Sequence, residues 1–142
     1  MPHTPVIFVN LPVKSLKTAE PFYEALGFHK NTKWCSDDAS SFVLSQSIAV
    51  MLLEHERFQS FMPASKSLIC GRNGTETLLS ISVEIKEDVD KLIEKLGEKG
   101  GKKDPSTLPD MPGMYGRNVE DPDGHIWEVC WMEGLENGMP KE

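Results

Sequence analysis

The groups best placed to do chemistry cluster near the C-terminal end of the chain. Glu128 stands four residues after Gly124 in the run Glu-Asp-Pro-Asp-Gly-His-Ile-Trp-Glu-Val, residues 120–129. A single carboxylate on a strand can abstract a proton, accept a hydrogen bond from a bound molecule, or pair with a cation. Arg117 could pair with an anionic ligand or with Glu128 itself, and Tyr115 could donate its hydroxyl; which face of the strand each occupies stays open. His125 is three residues from Glu128, an odd separation that puts the two on opposite faces of a regular strand, so it reads as a turn residue. His3, His29 and His55 lie far apart, and no pair has the helical spacing of metal ligands, although Glu54 and His55 are adjacent. The three cysteines, Cys35, Cys70 and Cys130, suit neither a disulfide framework nor a zinc knuckle. The glycine-rich loops that cradle nucleotide phosphates are absent from the sequence.

The composition bounds the scaffold that must hold these groups. A chain of 142 residues, 39% hydrophobic and 26% charged, has enough length for a real core. Ten prolines and eleven glycines imply short elements joined by turns rather than a helix bundle. Fifteen Lys and Arg against 22 Asp and Glu give a net charge of −7, which disfavours nucleic acid and anionic membranes as partners. The odd cysteine count, with no basic leader and no long apolar run after Met1, predicts a reducing, cytoplasmic location.

Residues 6–13 are β-branched and aromatic and read as a strand. Ala19, Phe22, Tyr23 and Leu26 then follow helical spacing up to Gly27, with Thr18 as the expected N-cap and Pro21 in the first turn. Residues 28–35, 41–44 and 48–53 read as three strands. The order then restarts. Residues 78–85 alternate as a strand, Val89, Leu92, Ile93 and Leu96 repeat the helical spacing up to Gly97, and 115–119 and 126–132 read as strands after a Pro- and Gly-rich loop at 104–113. Sliding the chain against itself sets Phe8 on Leu78, Leu11 on Ile81, Phe22 on Leu92 and Leu26-Gly27 on Leu96-Gly97, preserving residue class each time. The fold class is α+β: one domain over 1–142, built of tandem βαβββ modules at 1–54 and 77–133. The linker, 55–76, carries Phe58, Phe61 and Met62 at the spacing of a short helix and could cap a cavity.

Period-two alternation puts Phe8, Asn10, Leu78, Ser80, Ile126, Glu128 and Cys130 on a common face, apolar with a few polar anchors, as in a small-molecule pocket. Trp127 and Trp131 then point the other way as packing residues.

The segments Phe-Val-Asn-Leu-Pro-Val-Lys-Ser-Leu (8–16), Ala-Glu-Pro-Phe-Tyr-Glu-Ala-Leu-Gly-Phe (19–28) and the run at 120–129 resemble the vicinal oxygen chelate superfamily of glyoxalases, bleomycin-resistance proteins and extradiol dioxygenases. The resemblance implies curved mixed sheets around a cavity, modules shared across a homodimer, and, in the enzymes, one divalent metal held by the first and last strands of each module. Of the implied ligand positions only Glu128 matches; the others fall on Phe8, Met51 and Leu78. Phe and Leu cannot ligate a metal, and a Met thioether prefers soft ions. The expectation is a protein that binds a small organic molecule in an apolar cavity without the usual metal or any other cofactor. Glu128 is its candidate catalytic group, and Phe8, Asn10, Met51, Leu78, Ser80, Tyr115 and Arg117 are its candidate contacts. The alternatives are a metal-dependent lyase or dioxygenase, a metal-independent isomerase with Glu128 as base, and a subunit without a ligand.

Overall fold

A computed structural model of the chain describes residues 2–139. The first module comprises β1 (Ile7–Val13), α1 (Leu16–Leu26), β2 (His29–Lys30), a 3-10 turn at Thr32–Trp34, β3 (Ala39–Ser45) and β4 (Ile48–Glu54). A short helix, α2 (His55–Gln59), opens the linker. The second module repeats the order with β5 (Leu78–Ser82), α3 (Glu87–Glu98), β6 (Lys102–Lys103), β7 (Met114–Glu120) and β8 (Ile126–Met132). Each module forms its own open four-stranded mixed sheet, ordered β1-β4-β3-β2 and β5-β8-β7-β6. The β1–β4 and β5–β8 pairs are parallel and the others antiparallel.

Four local expectations are corrected. α1 begins three residues earlier than expected, capped by Ser15, whose hydroxyl accepts from the Thr18 amide, so Thr18 is not the cap. Pro21 therefore sits inside the helix, where it cannot bond the Lys17 carbonyl; both residues are exposed, so water can replace that bond. The early start buries Leu16, and the Glu54 carboxylate accepts from its amide at 3.1 Å. The strand expected at 28–35 survives only as His29–Lys30, because the Asn31 side chain accepts from the Lys33 amide and turns the backbone into the 3-10 turn. The strand expected at 78–85 stops at Ser82. Gly97 does not stop α3: the helix runs on to Glu98, the left-handed turn falls at Gly100, and the bare Cα of Gly97 makes room for the Lys103 side chain.

The two modules share one core. Phe22, Tyr23 and Leu26 of α1 and Val89, Ile93 and Leu96 of α3 pack with Phe42, Val50 and Leu52 from one sheet and Val119, Trp127 and Val129 from the other. Tyr23 lies at its centre, edge-on to Phe22, Phe28 and Trp127. Its hydroxyl donates to Asp121 at 2.6 Å and accepts from the Trp127 indole at 3.2 Å. Asp121 also accepts from the Asp123 and His125 amides, which closes the Asp-Pro-Asp-Gly turn. That turn reaches the first module through a 2.7 Å contact between the His125 ring and the Pro12 carbonyl. It reaches the linker through Arg72, which donates to the Pro122 carbonyl, and through Gly71 and Gly124, whose backbones lie too close for a Cβ at either residue.

Candidate functional site

In each sheet the face away from the helices is the inner face. On the second module it is built by register: Leu78 pairs with Ile126, Ser80 with Glu128 and Ser82 with Cys130, while Asn118 lies opposite Glu128 on the other side. The Ser80 hydroxyl donates to a Glu128 carboxylate oxygen at 3.3 Å. The other carboxylate oxygen rests over Gly116, where a Cβ would come within 2.8 Å of it. Gly116 therefore seats Glu128, a role that sequence reasoning missed, although a glycine inside a strand often marks a close approach. Burial and the neighbouring Glu128 charge push the Cys130 thiol up from its ordinary value, so it stays protonated at neutral pH. Asn118 is buried and donates to the Ser106 hydroxyl at 2.6 Å, tying the 104–113 loop to the rim of this face. Lys102 on β6 and Glu120 at the end of β7 pair at 3.6 Å.

On the first module Asn10 is the register partner of Met51, and Phe8 of Ala49. Phe8 is 52% exposed, and Leu78 on the other sheet is 71% exposed. β1 and β5 are end strands of their sheets, and no ladder joins them. One chain thus gathers Leu78, Ser80, Ile126, Glu128 and Cys130 on one inner face and Phe8, Asn10 and Met51 on another.

Tyr115 and Arg117 belong to neither inner face, which corrects the pairing of Arg117 with Glu128. Both project from the helix side of β7, where the Tyr115 hydroxyl donates to Asp90 and the Arg117 guanidinium binds Asp90, Asp104 and Glu94. Bonds from Tyr115 and Arg117 hold the Asp90 carboxyl below its ordinary value, and Arg117 does the same for Asp104. Arg117 is consequently a brace between β7, α3 and the loop.

A cavity of about 470 Å³ beneath the linker shares Asn10 and Ile126 with the two inner faces. Asn10, Leu79 and Ile126 line it from the strands, and Phe58, Met62 and Ile69 from the linker. Of the expected linker helix only His55–Gln59 forms, and Phe61 beyond it is exposed with Arg57 over its ring. Among the described residues no helix is long and apolar enough to cross a membrane.

The duplicated βαβββ order, with paired open sheets and the Asp-Pro-Asp-Gly turn at their junction, defines a class of protein. The family model for the Glyoxalase/Bleomycin resistance protein/Dioxygenase superfamily matches residues 6–129, and the chain belongs to that family. Among solved structures it is similar to the hypothetical protein SA1046 from S. aureus, with 28% identity, 92% of this chain and 95% of that one covered, and a TM-score of 0.73. A family enzyme from Burkholderia phytofirmans PsJN shares the fold at 19% identity, covering 91% and 99% of the two chains with a TM-score of 0.77. So does a mutant of the fosfomycin resistance protein FosX from Listeria monocytogenes, complexed with Mn(II) and 1S,2S-dihydroxypropylphosphonic acid, at 14% identity, 94% coverage of both chains and a TM-score of 0.68. A search of curated proteins gives no match.

A hard divalent metal does not fit the residues of this chain. The positions that the resemblance assigns to its ligands hold Phe8, Met51, Leu78 and Glu128, which together offer one carboxylate. Among the described residues no three His, Cys, Asp or Glu side chains gather elsewhere. Glu54, three residues on from Met51 at the end of β4, already bonds the first amide of α1.

Proposed function

We propose that this protein binds a small organic molecule without a metal, in a cavity that a second copy of the chain completes. The observation that carries this reading is Glu128, bonded to Ser80 and seated over Gly116 on an inner face left open in the single chain. Two open edges support the homodimer. Ile7 (61% exposed) and Phe8 on β1, and Leu78 on β5, leave apolar side chains in solvent beside unpaired strand edges, an arrangement that soluble proteins avoid unless something covers it. Closing β1 of one copy against β5 of the other would face Phe8, Asn10 and Met51 towards Leu78, Ser80 and Glu128. The reading treats 1–142 as one domain of two modules. It places the protein in the reducing cytoplasm, which its free cysteines suit, with neither nucleic acid nor membrane as partner.

The test is light scattering on untagged protein, with metal content by mass spectrometry and melting curves after chelation and after adding zinc, manganese or ferrous iron. The expected result is a dimer with no stoichiometric metal and no response to chelator. About one metal per chain with stability lost on chelation would overturn the metal-free part, since a ligand of the native state must raise its stability. A monomer at working concentration would overturn the shared cavity.

A further inference from the structure

We infer that the molecule bound at this site carries a cationic nitrogen, a protonated amine or amidine attached to an apolar body. The inference rests on the shared cavity proposed above and follows from the charge on its walls. Among the described residues, the inner strand faces carry two carboxylates, Glu128 and Glu120, and Lys102 already neutralises Glu120 at the far edge. Among the described residues, the hydrogen-bond partner of Glu128 is the neutral Ser80 hydroxyl. The basic side chain on the adjoining strand, Arg117, points from the opposite face and is held by three acidic groups. Among the described residues no basic side chain pairs with Glu128.

That matters once the cavity closes. A carboxylate in open solvent needs no partner, but one stripped of water by a second subunit needs either a proton or a cation. The remaining walls suit an organic cation better than a hydrated inorganic one. Phe8 offers an aromatic face, which attracts positive charge, and Met51 and Leu78 offer polarisable and aliphatic surface to the rest of the molecule. Phosphate, phosphonate or carboxylate ligands would meet Glu128 with like charge in a protein whose net charge is already −7.

Three probes of similar shape separate charge from shape: 2-phenylethylammonium, 2-phenylethanol and 3-phenylpropanoate. Each is titrated into the full-length protein while amide shifts of Ser80, Gly116 and Glu128 are followed by NMR. The expected result is that the ammonium compound binds roughly tenfold more tightly than the alcohol, with the carboxylate weakest. Glu128→Gln should bring the ammonium compound down to the level of the alcohol, whereas Glu120→Gln should leave the preference intact; melting curves confirm that both variants are folded. Equal binding of the three probes at the inner face would overturn the cationic preference and leave the cavity standing. Shifts at the inner face with none of the three would overturn both. A preference that survives Glu128→Gln would overturn the assignment to this carboxylate.

Discussion

The two sheets share one topology and differ in what their inner faces present. On the helix side they are alike: Leu11, Phe42, Val50 and Leu52 in the first module, and Ile81, Val119, Trp127 and Val129 in the second, all belong to the shared core or pack against it. On the inner side the first module shows Phe8, Asn10, Ser41, Ala49 and Met51, and the second shows Leu78, Ser80, Gly116, Asn118, Ile126, Glu128 and Cys130. A common core restrains the helix-side residues of both copies together. The inner residues carry no such obligation, and among those named the second copy holds a carboxylate, Glu128, where the first holds only neutral side chains. The two modules thus share one core and differ in the side chains of their inner faces.

The sharpest way to break this comparison is to truncate one side chain on each face. Trp127→Ala should cost about 3–5 kcal/mol, since it empties core volume and removes the indole donor to Tyr23. Met51→Ala, on the half-buried inner face, should cost less than about 2 kcal/mol. Urea midpoints decide, and equal losses would mean that the inner face is also core.

Next in size is the junction itself. Asp121→Ala should cost about 3 kcal/mol, because it leaves the buried Tyr23 hydroxyl and two turn amides without their acceptor. The pH dependence sharpens the contrast. Burial raises the Asp121 carboxyl above its ordinary value of 3.8, so its contribution is fully present below that pH and is lost as pH rises through the raised value. The Asp90 and Asp104 carboxyls are lowered from the same 3.8, so their contribution is present above it and is lost as pH falls through the lowered values. Arg117→Gln should therefore lower the Tm at pH 6, by roughly 0.5 kcal/mol equivalent after solvent screening, and the deficit should fade in acid. Asp121→Asn should lose the opposite trend.

The smallest effect on stability is expected at Gly116→Ala. Its Cβ meets the end of a flexible side chain, so the fold should change by less than about 0.5 kcal/mol. Glu128 must nevertheless move, and the Ser80 amide resonance should shift without any ligand.

Much of this arrangement was legible in the sequence because period and repetition carry it. Phe22, Tyr23 and Leu26 kept helical spacing, Trp127 and Glu128 fell on opposite faces, and the second module repeated the first. β6 escaped notice because two residues cannot display a period, and for the same reason the true length of β2 was not legible within the strand expected at 28–35. The start of α1 was not legible, because the rule that seats a proline in the first turn relaxes where the orphaned carbonyl can meet water. The placement of Tyr115 and Arg117 depended on the β7–β8 register, which the chain encodes only through distant partners such as Asp90. Gly116 was visible as a residue, but its purpose lies in a neighbouring strand.

The bond between Tyr23 and Asp121 spans 98 residues. During synthesis the N-terminal half leaves the ribosome with Tyr23 and Phe28 already in place but with no Trp127 to pack against and no Asp121 to receive the phenol. The nascent first module must wait, with part of its aromatic surface uncovered, until synthesis has passed Trp127. Truncation just before the Asp-Pro-Asp-Gly turn therefore removes more than the last strand, since it deprives the first-made half of the partner on which its own burial depends.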